Sequence, residues 1–152
     1  MIAPSPISLS FQPSASVPLP LSSRWLWTLV WVALTAFIGF ELAKHGYVGA
    51  TGDAVILTAS AVGFFIAPDL TFLTGLGDPV SKRMMSPRAV PYYNAMHRIE
   101  PPLILTVGIG VLIAPLGLLG IAAFIGGLSW MAHIAMDRTA GYGLRNADGS
   151  QG

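Results

Sequence analysis

Cysteine is absent and charge is scarce. Eight Lys and Arg against seven Asp and Glu leave 10% of the chain charged, with a net charge of +1. Without cysteine there is no disulfide and no thiolate metal site, and the redox compartment stays open. Without a basic surplus there is no field to draw the chain to nucleic acid. Soluble domains carry about 25% charged residues. A chain of 152 residues that is 53% hydrophobic, with a mean hydropathy of +0.66, cannot hide that much apolar surface in water. What is plentiful is glycine, at 17, and proline, at 12. Both are more frequent in membrane helices than in soluble ones, where small residues let helices approach closely. The composition predicts an all-α integral membrane protein.

Residues 1–23 hold Pro4, Pro6, Pro13, Pro18 and Pro20 among serines and no charge. They read as a disordered tail, and as a poor signal peptide because a basic start is missing and the apolar run comes late. Residues 24–145 read as the membrane domain, a four-helix bundle, and residues 146–152 as a flexible C-terminal tail. The expected spans are Trp25 to Ala43, Ala54 to Leu73, Tyr92 to Ile113 with a kink at Pro101-Pro102, and Leu118 to Asp137. Each is near the ~20 residues that cross ~30 Å of hydrocarbon. Thr74 to Pro91 is a turn-rich basic loop, and Ala114-Pro115-Leu116-Gly117 a tight apolar turn. A three-span alternative makes Leu103 to Met136 one element. That run exceeds one crossing, and Pro115 breaks it.

Four spans put Arg24, Lys82, Arg83, Arg88, Arg98, Arg138 and Arg145 on one side and Lys44 alone on the other. By the positive-inside rule both termini are cytoplasmic. The same topology brings five polar residues to one depth near the inner leaflet. Asp69 ends the second span, Asn94 and His97 begin the third, and His133 and Asp137 end the fourth. Asn94 and His97 are three apart, His133 and Asp137 four apart, so each pair shares a helix face. Tyr93, Tyr142 and Arg138 lie close in sequence. His133 is the one ionisable residue between Leu103 and Met136, and an ionisable group kept in a membrane segment points to function.

Two imidazoles and two carboxylates are ligands suited to a divalent ion such as zinc or manganese, with His97, His133, Asp69 and Asp137 as the set. Asp69 or Asp137 could serve as general base instead of ligand, activating water for hydrolysis of a lipid or small amphiphile. Two other readings stay open. Asp, His and Asn also hold membrane helices together, at ~1 kcal/mol per contact, with Asp137 paired to Arg138 or Arg98 and Asp69 to loop cations. A proton or ion pathway is the third. The remaining motifs carry less. Gly108-Ile109-Gly110 reads as helix packing, and Gly141-Tyr142-Gly143 as a helix cap, because it lacks the Thr-Val of a potassium filter. Glu41, Lys44 and His45 read as interfacial groups. Met84-Met85 suits docking on a membrane surface, and Lys82, Arg83 and Arg88 suit anionic headgroups.

Pro68-Asp69-Leu70, Pro87-Arg88, Tyr93-Asn94, His97, Pro102-Leu103 and the closing His133-Ile134, Asp137-Arg138, Gly141-Tyr142-Gly143-Leu144-Arg145 resemble a family of small bacterial membrane proteins, the domain of unknown function numbered forty-two sixty. The resemblance covers about residues 25–145. It implies four spans in a bacterial inner membrane and no established activity. The Pro/Ser tail is longer than in that pattern, and the short run after Arg145 suggests an accessory role. The expected function is therefore a metal-dependent membrane hydrolase, or else a non-catalytic subunit of a larger membrane complex with a membrane-protein or like partner. A transporter component is the minor reading, because four short helices enclose little volume.

Overall fold

The computed structural model describes residues 20–48, 51–109 and 116–152. Among them the chain is helical and has no strand, only one isolated bridge between Arg145 and Gln151. Helix α1 is Leu21–Val48 and α2 is Thr51–Ile66, continued by a 3-10 segment, Ala67–Gly75. Two short helices follow, α3 (Val90–Met96) and α4 (Glu100–Ile104), the second running on as a π-turn over Leu105–Ile109. Helix α5 is Leu118–Ala140. Three stretches are long and apolar enough to cross a membrane: Leu21–His45, Gly52–Gly75 and Leu118–Ala140. At 1.5 Å per residue the 23 residues of the last rise ~35 Å, enough for ~30 Å of hydrocarbon.

The centre of the bundle is α5, which packs against α1, α2, α4 and the π-turn. Its apolar window is 61% buried against 6% for that of α1. Ile38, Leu57, Ala61, Ala122, Ile125, Leu128 and Ala132 form the core, while Trp25, Leu26, Leu29 and Phe40 of α1 point outward. A contiguous apolar surface of that size calls for lipid or a partner. Small residues bring the helices close. A Cβ at Gly126 would run into Phe64 and Ser60, and one at Gly127 into Thr106. Ser60 Oγ also donates across to the Ala122 carbonyl at 2.6 Å. Gly127→Ala is therefore expected to push α5 off the α4 turn and cost ~1–3 kcal/mol. A lowered unfolding midpoint in detergent checks this, and an unchanged midpoint refutes it.

Proline sets the breaks. Pro68 in the first 3-10 turn lacks the N–H that the Phe64 carbonyl would receive, so α2 tightens into the 3-10 segment that carries Asp69. The expected third span, Tyr92 to Ile113, is not one kinked helix over its described residues. It stops at Met96 and restarts at Glu100, and its last part, with Ala114-Pro115 and Gly110, lies outside the described residues. Pro101 and Pro102 sit in the first turn of α4, where a missing N–H costs nothing, and so they begin a helix instead of bending one. The first span also starts earlier than expected. Leu21 to Ser23 are helical, and the rest of the expected tail, residues 1–19, is outside the described residues.

Arg24 Nε donates to the Thr139 carbonyl at 3.0 Å, and Thr28 Oγ1 to Thr139 Oγ1 at 3.4 Å. The start of α1 and the end of α5 therefore lie together. Gly141 closes α5 with φ 92°, its N–H reaching the carbonyls of Asp137 and Arg138, a left-handed cap that favours glycine. From there residues 141–152 return over the loop between the 3-10 segment and α3. Met85 N–H donates to the Gly149 carbonyl at 3.0 Å. Gly149, with φ 87°, lies so close to the Met85 carbonyl that no Cβ would fit. Met85, expected on a membrane surface, is instead buried with Ala89, Val90 and Tyr93.

Candidate metal centre

Asp69, His97, His133 and Asp137 come together at the end of the bundle where α1 begins and α5 finishes. Each owes its place to a separate element: Asp69 to the 3-10 segment, His97 to the break after α3, and His133 and Asp137 to successive turns of α5. The two imidazoles are fully buried, Asp137 is 14% exposed and Asp69 51%. His97 Nε2 and His133 Nε2 are 3.2 Å apart. Asp137 Oδ2 lies 3.2 and 3.8 Å from these two nitrogens, and Asp69 Oδ1 3.9 and 3.5 Å.

The histidines are aimed by their surroundings. His97 Nδ1 is 2.9 Å from the Tyr93 carbonyl. A carbonyl only accepts, so in the neutral ring the proton is on Nδ1 and the Nε2 lone pair faces the cluster. Tyr93 stacks on His97 at 3.7 Å between ring centroids, and the Phe65 edge meets His133 at 5.3 Å. The break before α4 adds a second support. Pro101 has no N–H for the His97 carbonyl, and Arg138 Nη2 takes that carbonyl at 3.1 Å while Nη1 donates to the Tyr142 carbonyl at 2.8 Å. The Met96 carbonyl, at the same break, accepts from Trp130 Nε1 at 2.7 Å. Helix α5 thus satisfies both groups freed by the break.

The cluster is a concentration of acceptors. Two carboxylates and two ring nitrogens approach one another, and only a proton or a metal ion placed among them removes the repulsion. The distances suit an ion. Donors held ~2.0–2.1 Å from zinc in a tetrahedron lie ~3.3–3.4 Å apart. The ligand atoms of Asp69, His97 and His133 all fall within 4.8 Å of one another. His133 Nδ1 is buried without a hydrogen-bond partner. A metal ligand His ordinarily donates this second nitrogen to a carboxylate or carbonyl. Asp69 and Asp137 also line a cavity of about 740 Å³ bounded by the loop before α3 and the returning C-terminal segment.

The other expected site residues are placed as follows. Asn94 faces away from the cluster and clamps the C-terminal segment: Nδ2 donates to the Arg145 carbonyl at 2.8 Å, and Oδ1 accepts the Arg145 N–H at 2.8 Å. Tyr93 gives its ring to His97, and its hydroxyl donates to the Gly143 carbonyl at 3.3 Å. Tyr142 is half exposed and lines the cavity. Asp137 does not pair with Arg138 or Arg98; its ionic partners among the described residues are the histidines, as are those of Asp69. Glu41 does pair with Lys44, at 3.1 Å, away from the cluster. Nothing in the residue pattern pointed to Phe65, which meets His133 through the packing of α2 on α5, or to the cavity role of Arg83 and Arg145, which follows from how the loops fold back.

Fold and cluster together define a small all-helical protein with membrane-length helices and a His/Asp centre at one end of its bundle. The chain belongs to the family described as a domain of unknown function (DUF4260), whose model matches residues 53–152 and so takes in all four cluster residues. No curated protein and no solved structure matches it.

Proposed function

We propose that the protein is a metal-dependent hydrolase of the bacterial inner membrane, with both termini cytoplasmic and its centre at the level of the inner leaflet. The observation that carries this reading is the convergence of two Nε2 atoms and two carboxylates within 3.2–3.9 Å at the wall of a cavity. His97, His133 and Asp69 hold a zinc or manganese ion, which lowers the pKa of water at the site. Asp137 accepts the proton from the attacking water, and Tyr93 and Arg138 hold His97 in place. A shared proton is the competing occupant. It relieves one or two of the short contacts, whereas an ion engages three ligands.

The test is elemental analysis of the detergent-purified protein beside a His97→Ala/His133→Ala variant. About one equivalent of zinc or manganese, lost in a variant that keeps its helical circular dichroism, is the expected result. No metal in either, even after incubation with the ions, overturns the metal reading and leaves a proton-bridged structural cluster in a complex subunit.

A further inference from the structure

The cavity beside the cluster is lined by cations as well as carboxylates. Arg83, which is exposed, and Arg145, which is part-buried, both line it, opposite in charge to Asp69 and Asp137. Neither arginine has a carboxylate partner among the described residues; the ion pair in that loop is Arg88 with Asp78, at 3.4 Å. Arg145 is held, not loose. Asn94 fixes its backbone through both N–H and carbonyl. Its guanidinium lies over the Tyr93 ring at 5.9 Å and reaches the Arg83 carbonyl at 3.4 Å. Its Nε is buried and has no hydrogen-bond partner. Arg83 stands at φ 69°, a left-handed backbone that a residue with a long side chain rarely adopts. Strain of this kind persists only where surrounding structure enforces it.

We infer that Arg145 and Arg83 form an anion subsite that takes the phosphoryl group of the substrate, in the same cavity that Asp69 and Asp137 of the His/Asp centre line. The inference deepens the hydrolase reading and rests on it for the chemistry that follows binding. A phosphoryl dianion needs more than one cation. Two guanidiniums supply forked donors that match its oxygens, and an ion held by the cluster would offset the two carboxylates. A carboxylate substrate, with one charge, would leave an arginine unpaired. The rest of the wall includes Phe72, Met84 and Tyr142, an apolar lining suited to whatever the phosphate is esterified to. The same chemistry is offered by a phospholipid headgroup and by a soluble phosphate monoester.

The experiment measures binding of inorganic phosphate to the zinc-treated full chain in detergent by 31P NMR line broadening, with acetate as the contrasting anion. Wild type is expected to bind phosphate, Arg145→Met at least ~10-fold more weakly, and Arg145→Lys between them, because a point charge replaces a fork. The Asn94 clamp uses only the backbone of residue 145, so these variants keep it. Phosphate binding unchanged in Arg145→Met, or acetate binding as tightly as phosphate, overturns the inference. The source is read by transferring the protein to nanodiscs of phosphatidylcholine with or without phosphatidic acid. Displacement of phosphate by phosphatidic acid marks a lipid headgroup, and no displacement marks a soluble ester; either requires the Arg145-dependent site. Arg145-dependent phosphate binding with no metal in the wild type would sink the hydrolase reading alone. Metal present without phosphate binding would sink the anion subsite alone.

Discussion

Asp69→Asn is expected to weaken zinc binding by at least ~100-fold, while Asp137→Asn keeps zinc within about 10-fold and loses hydrolysis. Changes behind the ligands already weaken metal affinity by ~10–100-fold, and a neutral amide in place of a ligating carboxylate should exceed that. Asp69 Oδ1 belongs with both Nε2 atoms to the group that closes within 4.8 Å, and it is the more exposed carboxylate. Asp137 is mostly buried and faces the same nitrogens from α5. Loss of a positioned general base lowers turnover by ~10²–10⁴. Zinc titration calorimetry and hydrolysis of p-nitrophenyl phosphate separate the two. Equal loss of zinc in both variants would make Asp137 a fourth ligand and remove its role as base. Zinc binding unchanged in Asp69→Asn would remove Asp69 from the ligand set.

Arg138→Met is expected to weaken zinc by ~10–100-fold although Arg138 touches no ligand atom. Its two bonds, to the His97 carbonyl at 3.1 Å and the Tyr142 carbonyl at 2.8 Å, hold the break between α3 and α4 against the cap of α5. Pro101 cannot supply the lost donor. The partly buried His97 carbonyl left open costs ~1–3 kcal/mol, so the unfolding midpoint should fall as well. Gly127→Ala controls for that fall: it should melt lower yet bind zinc as wild type does. Arg138→Lys should recover part of the affinity, since an ammonium can reach one carbonyl but cannot fork between two. If Arg138→Met and Gly127→Ala show the same zinc affinity, Arg138 is a structural residue and does not position His97.

Helix class and the cluster were legible for different reasons. The long apolar runs have few ways to satisfy their backbone other than as helices, which the three membrane-length helices bear out. His133 and Asp137, four residues apart on one such helix, had to share a face. Asp69 and His97 followed from chain reversal alone, since Asp69 ends one expected span and His97 begins the next. The third span was misread because proline was treated as a kink in a continuous helix. With two prolines adjacent, Pro101 and Pro102 suit a first turn better than an interior, and the chain breaks before them.

Asn94 shows where pattern reasoning ends. Its spacing from His97 suggested one face and one role, but α3 stops at Met96 and its side chain goes to the Arg145 backbone. The sequence by itself determined that the chain is helical, that it is too apolar for water, and that two histidines and two aspartates gather at one end. These follow from composition, local periodicity and the alternation of spans, which need no knowledge of how the loops fold. Only the tertiary structure decided the rest: the tautomer of His97 through the Tyr93 carbonyl, the Arg138 bridge over the proline break, and the cavity that Arg83 and Arg145 share with the carboxylates. Those depend on the loop before α3 and residues 141–152 folding against each other. Contacts between segments so distant in sequence leave no periodic trace in it.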